Sequence, residues 1–274
     1  MIIGASSFAG SLPELKEQVQ SVELYIPKLG IYEGMELQEN RLNKILDELS
    51  TSNLVTSIHA PYFADVPTYP GELVIDTANM DGAQFRLMGE SIELANRLDS
   101  KVVVVHPGRI NNSNHDASFL KMVGNLKLLA SMADDYGVML GLENKEGTDH
   151  GNLCCSANEL VKAVSEVDSP NLGVTYDMGH ANLTCGANPR KLMDFTETVS
   201  KFVVHLHLHD NSGHWTDEYA GDQHMAPGSG TVDFSILNMM SGYRGIYNLE
   251  VFSMDDVKAG KDVIRRVCSS PRQL

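Results

Sequence analysis

The sequence predicts an α/β protein that folds as a single (β/α)8 TIM barrel. Short aliphatic and β-branched runs recur eight times along the chain, and a stretch with helical spacing follows each of them. The runs are apolar on both faces, which is typical of parallel strands buried between other layers of structure. The chain has 274 residues, a length at which such barrels form one unit. We therefore predict one domain over residues 1–274.

The eight predicted strands follow one another without interruption by a Gly/Ser-rich linker or a low-complexity tract. They cover residues 2–5, 22–26, 56–59, 102–106, 139–143, 172–176, 202–209 and 247–252. A doubly wound sheet is the alternative α/β fold, but it normally carries a Gly-rich phosphate-binding turn after its first strand. The corresponding segment here is GASSFAGS, which contains no GxGxxG pattern. The barrel is therefore favoured.

Two of the predicted helices have a clear apolar stripe. Residues 80–98 and 119–136 each place large apolar side chains three to four positions apart. A third helix begins after Ser156, where Glu159 stands three residues further on. This spacing predicts a capping box, in which each side chain accepts a hydrogen bond from the backbone of the other residue.

The composition is that of a soluble globular protein and is strongly acidic. There are 36 Asp and Glu residues against 21 Lys and Arg, which gives a formal net charge of −15. A broad basic surface for nucleic acid or anionic lipid is therefore disfavoured. No apolar run approaches the roughly 18 residues of a membrane span, and the N-terminal segment lacks a secretory pattern. The four cysteines form no CxxC pair, so we expect a reduced, cytoplasmic protein with no membrane partner.

Ionisable residues stand where the predicted strands end. The histidines and carboxylates that close these apolar runs are His59, His106, Glu143, Asp177, His180, His207, His209 and Glu250. A buried carboxylate is costly unless it is paired or bound to a metal. Because the strand ends of a barrel converge at one mouth, these residues predict a shared metal site there. Imidazole and oxygen ligands without thiolate suit zinc, with manganese, iron and cobalt as alternatives.

Several of these residues also have a purely structural interpretation. His59 and His106 could each be a hydrogen-bonded core histidine. Glu143 could form an ion pair with Lys145, and Asp177 could cap the turn that follows it. It is the joint placement of these residues at successive strand ends that favours a site.

Three histidines alternate along the seventh predicted strand. His205, His207 and His209 have a period of two, so their side chains point to the same face. At most one or two of them can lie at the height of a metal ion. We predict His207 as the ligand, with His205 deeper in the barrel and His209 near the rim.

Four of these motifs resemble a known family. The residues that carry the resemblance are Glu143 in LENKEG, Asp177 in YDMGH, His207 in HLHDN and Glu250 in NLEVF. They stand in the order found in the xylose isomerase-like TIM-barrel superfamily, which holds sugar and sugar-phosphate isomerases and epimerases. The endonuclease IV type of abasic-site nuclease (AP endonuclease family 2) also belongs to it. The resemblance covers nearly the whole chain and implies a four-ligand metal site.

The isomerase and epimerase branch provides the leading hypothesis. In that branch, glutamates at positions like Glu143 and Glu250 bind the metal and move a proton between adjacent carbons of a sugar. The resemblance thus implies a divalent-metal enzyme acting on a small sugar or sugar phosphate, with Glu143 and Glu250 as the catalytic pair. It also implies that His180 contacts a substrate hydroxyl.

The nuclease branch provides the alternative, because its additional ligands are present as well. His59 and His106 resemble the pair that joins the first glutamate around a second metal. His180, Asp222 and His224 resemble the set around a third. The resemblance then implies a zinc-dependent phosphodiester hydrolase, an abasic-site endonuclease, with two or three metal ions. A metal- or ligand-binding barrel without enzymatic activity is a third hypothesis.

Two departures from the nuclease pattern make DNA the less favoured partner. The nuclease family has an aromatic and basic stretch after its second strand; the segment here is VELYIPKLGIYEGMEL, with Glu23 in the strand as in the sugar-acting members. The basic residues near strand ends 2, 4 and 5 are Lys28, Arg109 and Lys145, too few to follow several phosphates. Barrel isomerases commonly assemble into dimers or tetramers, so a homo-oligomer is an alternative to a monomer.

Three further side chains are candidate substrate contacts. Tyr62 stands three residues after His59, and Trp215 is the single tryptophan, in a long loop after the seventh strand. His209 is the third, at its expected place near the rim. Tyr62 could equally pack within a loop, and the acidic segment around Trp215 could be a solvated loop without a role.

Overall fold

The predicted barrel is confirmed by the computed structural model, which describes residues 1–62, 75–240 and 242–269. Eight parallel strands close into a barrel. They are β1 (Ile2–Ser6), β2 (Ser21–Tyr25), β3 (Val55–His59), β4 (Val102–Val105), β5 (Met139–Glu143), β6 (Leu172–Asp177), β7 (Val203–Leu208) and β8 (Ile246–Leu249). The apolar runs of the sequence therefore correspond to the strands one for one.

Each strand pairs with its neighbours in the sequence, and the first strand pairs with the last. β1 and β8 align Ile2 with Ile246 and Ala5 with Leu249, which closes the sheet. Because all strands run in the same direction, their carboxyl ends meet at one mouth. Side chains that are far apart in the sequence thus reach one small volume.

The helical layer is less regular than the strand order. The helices are α1 (Leu12–Leu15), α2 (Glu39–Ser50), α3 (Gly82–Arg97), α4 (His115–Tyr136), α5 (Ala157–Val167), α6 (Met178–Cys185), α7 (Pro189–Val199) and α8 (Met254–Ser269). Both α6 and α7 lie between β6 and β7, whereas β7 and β8 are joined through a 3-10 helix, Phe234–Met240. One α-helix after every strand, the pattern that the sequence suggested, therefore does not hold after β7. Over the described ranges, none of the helices has the length and apolar composition needed to cross a bilayer.

Short-range hydrogen bonds set the helix ends. Asp81 caps α3, its carboxylate accepting a hydrogen bond from the Ala83 N–H at 2.9 Å. Ser156 caps α5 as predicted, and its hydroxyl accepts from the Glu159 N–H at 3.3 Å. The Glu159 carboxylate instead contacts His115 Nε2 at 2.8 Å. The reciprocal half of the predicted capping box is therefore replaced by a contact between α4 and α5.

An apolar core lies between the barrel and its helices. Leu42, Leu126, Leu160 and Ile264 come from α2, α4, α5 and α8, and all four are fully buried. Truncating such a side chain to alanine costs about 2–5 kcal/mol. This packing holds the strands in place from outside and leaves the mouth of the barrel to polar side chains.

Candidate metal centre

The structure brings the predicted metal ligands together at the barrel mouth. They lie at or just beyond the ends of six strands and in the segments after β6 and β7: His59, His106, Glu143, Asp177, His180, His207, Asp222, His224 and Glu250. The described part of the chain contains four groups of side chains whose ligand atoms lie within 4.8 Å of one another, and three of these groups include the nine residues. We name these three the deep, side and outer groups.

The deep group consists of Glu143, Asp177, His207 and Glu250. His207 Nδ1 lies 3.1 Å from Glu250 Oε2, 3.4 Å from Glu143 Oε2 and 3.7 Å from Asp177 Oδ2. One imidazole nitrogen thus faces three carboxylates. Asp177 also caps α6, since its Oδ1 accepts a hydrogen bond from the His180 N–H at 2.7 Å. Asp177 therefore both caps the following helix and belongs to the ligand group.

The side group consists of His59, His106 and Glu143. His106 Nε2 lies 3.3 Å from Glu143 Oε2, and His59 Nε2 lies 3.7 Å from the same oxygen. Glu143 belongs to both the side group and the deep group, and its Oε2 contacts histidines of each. Glu143 would thus serve as a ligand in either group.

The outer group consists of His180, His209, Asp222 and His224. Asp222 Oδ2 lies 3.0 Å from His180 Nε2 and 3.2 Å from His224 Nε2. His209 is fully buried, with its Nε2 3.1 Å from Asp177 Oδ1 and its ring stacked on that of His224 at 4.1 Å. His209 directly follows the last residue of β7, so it stands at the rim end of that strand, but its side chain is covered. Its side chain connects the outer group to the deep group, through His224 and Asp177.

Buried ligand atoms of the deep and side groups lack partners. Glu143 Oε2, Asp177 Oδ2, His207 Nδ1 and His59 Nε2 are buried and have no hydrogen-bond partner among the residues that the structure describes. Unpartnered buried polar atoms are uncommon because they lose hydration without compensation. Here they are carboxylate oxygens and imidazole nitrogens that face one another, which are the ligands of divalent metal ions. The deep and side groups thus fit a metal.

Glu23 supports the deep group from below. It is fully buried in β2, and its Oε1 lies 3.0 Å from His207 Nε2 while its Oε2 lies 2.9 Å from His205 Nε2. Asn248 Nδ2 also donates a hydrogen bond to Oε1 at 3.0 Å. A carboxylate that accepts from one ring nitrogen leaves the other free to bind a metal. The sequence shows a glutamate in this strand but not its partners.

Two further buried side chains position the ligand segments. Asn144 donates a hydrogen bond to the Asp177 carbonyl and accepts one from the Asp177 N–H, both at 2.9 Å. Asp210 accepts from the Gly228 N–H at 2.9 Å, and its backbone pairs with Met225, next to the outer group. Sequence reasoning missed both residues. Their one signal is that each directly follows a predicted site residue, and this adjacency does not reveal a partner.

Burial and charge set the protonation of the ligands. Burial lowers the pKa of His106 to about 4, so its imidazole is neutral and keeps a lone pair for a metal. Burial also opposes a charge on His224, but the Asp222 carboxylate raises its pKa to about 9. Burial alone would raise the pKa of the Glu250 carboxyl, yet His207 holds it at about 2. The site is thus a mixture of neutral and charge-paired groups.

A cavity of about 490 Å³ opens beside these groups. Its walls include Tyr62, His106, Lys145, Glu146 and Asp222. Tyr62 stacks on His106 with the ring centroids 4.0 Å apart, so it lies at the mouth as expected. Trp215 is 56% exposed and does not appear among the described residues that line the cavity.

Lys145 lies between the deep and outer groups. Its Nζ is 3.3 Å from Glu146 Oε2, 3.3 Å from His180 Nε2 and 3.9 Å from Glu143 Oε1. The structural alternative for Glu143, an ion pair with Lys145, is therefore present beside its place in the ligand groups. Glu146 was not expected from the sequence. Its Oε1 accepts a hydrogen bond from Asn152 Nδ2 at 2.9 Å.

Fold and site together define a parallel barrel with histidines and carboxylates gathered at its carboxyl-terminal mouth. The family model described as xylose isomerase-like TIM barrel matches residues 16–268. The chain belongs to this family, which confirms the resemblance seen in the sequence.

Known relatives represent both branches of the family. An uncharacterised protein of Methanocaldococcus jannaschii is 35% identical over 182 residues, 64% of this chain and 59% of that protein. A probable endonuclease 4 of Mesomycoplasma hyopneumoniae is 24% identical over 161 residues, 56% of this chain and 53% of that protein. A crystal structure of a D-tagatose 3-epimerase-like protein has a TM-score of 0.77 and 26% identity, covering 98% of this chain and 97% of that one. The chain thus matches little more than half the length of the two sequence relatives.

Proposed function

We propose that the protein is a divalent-metal-dependent isomerase or epimerase that moves a proton between adjacent carbons of a small sugar. The observation that carries this proposal is the placement of Glu143 and Glu250 around His207 Nδ1, at 3.4 and 3.1 Å. The two glutamates stand at the ends of β5 and β8, which are three strands apart in the barrel. They therefore approach the same space from different directions.

Proton transfer needs this arrangement of carboxylates. The metal would be held by the deep group and would supply stabilisation of negative charge on substrate oxygens. A carboxylate on one side of the sugar accepts the proton from the carbon beside the carbonyl, and a carboxylate returns a proton to the adjacent carbon or the opposite face. His207 holds the pKa of Glu250 at about 2, so this side chain is present as a base at neutral pH.

The cavity supports a small, hydroxyl-rich substrate. Asp76, Glu146 and Asp149 line it, and carboxylates readily accept hydrogen bonds from sugar hydroxyls. The lining cations are already paired, because Arg109 contacts Asp149 at 2.8 Å and Lys145 contacts Glu146 at 3.3 Å. A volume of about 490 Å³ is in the range of small-molecule sites. These features favour a sugar over a nucleic acid.

Solvent deuterium exchange tests the proposal. The metal-loaded protein is incubated in D2O with a panel of ketoses, aldoses and their phosphates, and deuterium on carbon is measured by NMR and mass spectrometry. We expect exchange at a carbon beside the carbonyl, and a loss of more than about 100-fold in Glu143→Gln and Glu250→Gln. Glu197→Gln, on the exposed face of α7, is the matched control and should exchange at the native rate. Absence of exchange across the whole panel would contradict the proposal.

Phosphodiester hydrolysis is the second candidate, and the side group is the observation that favours it. His59 and His106 adjoin the deep group through Glu143, and two neighbouring ions suit in-line attack on phosphorus. Cleavage of bis(p-nitrophenyl) phosphate or of an abasic-site duplex, lost in His59→Ala together with one metal ion, would support this reaction. One ion per chain that persists in His59→Ala would count against it.

We further propose zinc as the bound ion, because the ligand set combines imidazole with carboxylate. Four free cysteines favour a reducing, cytoplasmic setting. One domain over residues 1–274 and a homo-oligomeric state are the remaining proposals. Elemental analysis tests the ion, limited proteolysis tests the domain, and light scattering tests the oligomer.

A further inference from the structure

The outer group presents ligand atoms that a third metal ion could use. His180 Nε2 and His224 Nε2 both contact Asp222 Oδ2, at 3.0 and 3.2 Å. The second ring nitrogen of each histidine faces a backbone carbonyl: His180 Nδ1 lies 2.9 Å from Asn144 O, and His224 Nδ1 lies 2.7 Å from Glu250 O. In the described part of the chain, Asp222 Oδ1 and the His209 nitrogens are the outer-group atoms without a hydrogen-bond partner.

A fixed cation also stands at this position. Lys145 Nζ lies 3.3 Å from His180 Nε2, the atom that His180 would offer to a metal, and 3.3 Å from Glu146 Oε2. The lysine side chain is only 14% exposed, so solvent screens its charge poorly. A divalent ion bound to the same nitrogen, at a ligand distance of about 2.0–2.1 Å, would meet this ammonium as a like charge.

We infer that Lys145 takes the place of a metal ion in the outer group, so that the native protein binds no ion there. The ammonium offsets the carboxylates of Glu143 and Glu146, as a bound cation would. The residue types of a third metal site are therefore present, but a lysine contacts the nitrogen that His180 would offer to the ion. This inference concerns the number of ions, and its test does not depend on which reaction the protein catalyses.

Metal counting in Lys145 variants tests the inference. Native protein, Lys145→Met and Lys145→Arg are stripped with a chelator, reloaded with zinc, desalted and measured by elemental analysis. We expect Lys145→Met to hold one more ion per chain than the native protein, because it removes the charge but keeps most of the length of the side chain. Lys145→Arg should keep the native count. Lys127→Met, on the exposed face of α4, is the matched control and should also keep it.

A second measurement has one arm that does not require a lysine variant to fold. His224→Gln in an otherwise native chain should leave the ion count unchanged, because His224 holds no ion there. In Lys145→Met the same change should remove the additional ion. Cobalt loading gives an independent signal, since the additional ion adds a visible absorption band that depends on His224. An ion lost from the native protein with His224→Gln, or an unchanged count in folded Lys145→Met, would overturn the inference.

Discussion

The deep and outer groups contain the same kinds of side chains but differ in what those side chains contact. In the deep group, His207 Nδ1 faces the carboxylates of Glu143, Asp177 and Glu250, while Glu23 engages its other nitrogen. In the outer group, His180 and His224 contact the carboxylate of Asp222, and Lys145 lies beside His180. Residue types alone therefore do not define a metal site. What distinguishes the outer group is the lysine that contacts the nitrogen His180 would offer to a metal.

The largest effect is expected from Asp177→Asn, which removes one carboxylate from the deep group. Asparagine can still cap α6 by accepting the His180 N–H, so the fold should persist. Loss of a direct ligand should weaken metal binding by more than the roughly 10–100-fold typical of supporting residues. The zinc affinity is measured by calorimetric titration of protein from which a chelator has removed the metal. An unchanged affinity would show that the deep group is not the principal site.

A smaller effect is expected from Glu23→Gln, which changes the partner of His207 and leaves the metal ligands themselves unchanged. The amide cannot hold the imidazole as a carboxylate does, so metal affinity should fall by about 10–100-fold. Glu36→Gln on the surface is the matched control. If both variants bind zinc equally well while circular dichroism shows native folds, Glu23 has only a structural role.

Gly179→Ala tests the contact between the two groups. An alanine methyl at this position in α6 would overlap the ring of His209, which contacts both Asp177 and His224. Overpacking of this kind costs about 1–3 kcal/mol. Gly124→Ala in α4 meets no atom within 4 Å and should stabilise the protein by up to about 1 kcal/mol through helix propensity. Urea denaturation measures the free energy of unfolding of both variants. Equal values would mean that the His209 ring can move away from the added methyl group.

The last prediction is a difference in pH dependence between two histidines of the metal-free protein. The pKa of His224 is about 9, above its ordinary 6.5, so its contribution to stability is complete below about 6.5 and is lost as the pH rises through about 9. The pKa of His106 is about 4, so its contribution is complete above about 6.5 and is lost as the pH falls towards 4.

Thermal unfolding of the metal-free protein from pH 4 to 10 measures the contributions of both histidines to stability. His224→Gln should flatten the alkaline side of the profile and leave the acidic side unchanged, whereas His106→Gln should do the reverse. If His224→Gln instead altered the acidic side, its ion pair with Asp222 would not be the source of the pKa shift.

The fold was predictable because its signal is local and repeated. Each strand corresponds to an apolar run in the sequence. His59, Glu143 and Asp177 are the last residues of their strands in the structure, and the predicted strand ends agree with them to within one residue. Parallel closure then places such residues at one mouth. The helical layer was less predictable. The 3-10 helix Phe234–Met240 depends on how its segment packs against neighbours, which a spacing pattern does not report.

The candidate site was predictable in its residue types but not in its contacts. Glu23 and His205 are 182 positions apart, yet they lie 2.9 Å from each other. No pattern within either strand indicates this pair, because barrel closure creates it. Lys145 was recognised as a basic residue near a strand end, but its distance from His180 depends on two side-chain conformations set by their surroundings.

The sequence by itself determined the barrel and the histidines and carboxylates at its mouth. Both follow from residue identity and short-range spacing, which the linear order of the chain contains. Only the tertiary structure decided that His207 is oriented by Glu23, that His209 is buried, and that a lysine stands beside His180. The physical reason is that a metal site is specified by differences of about 1 Å and by the partner of each lone pair. Such differences are fixed only when distant strands close into one barrel.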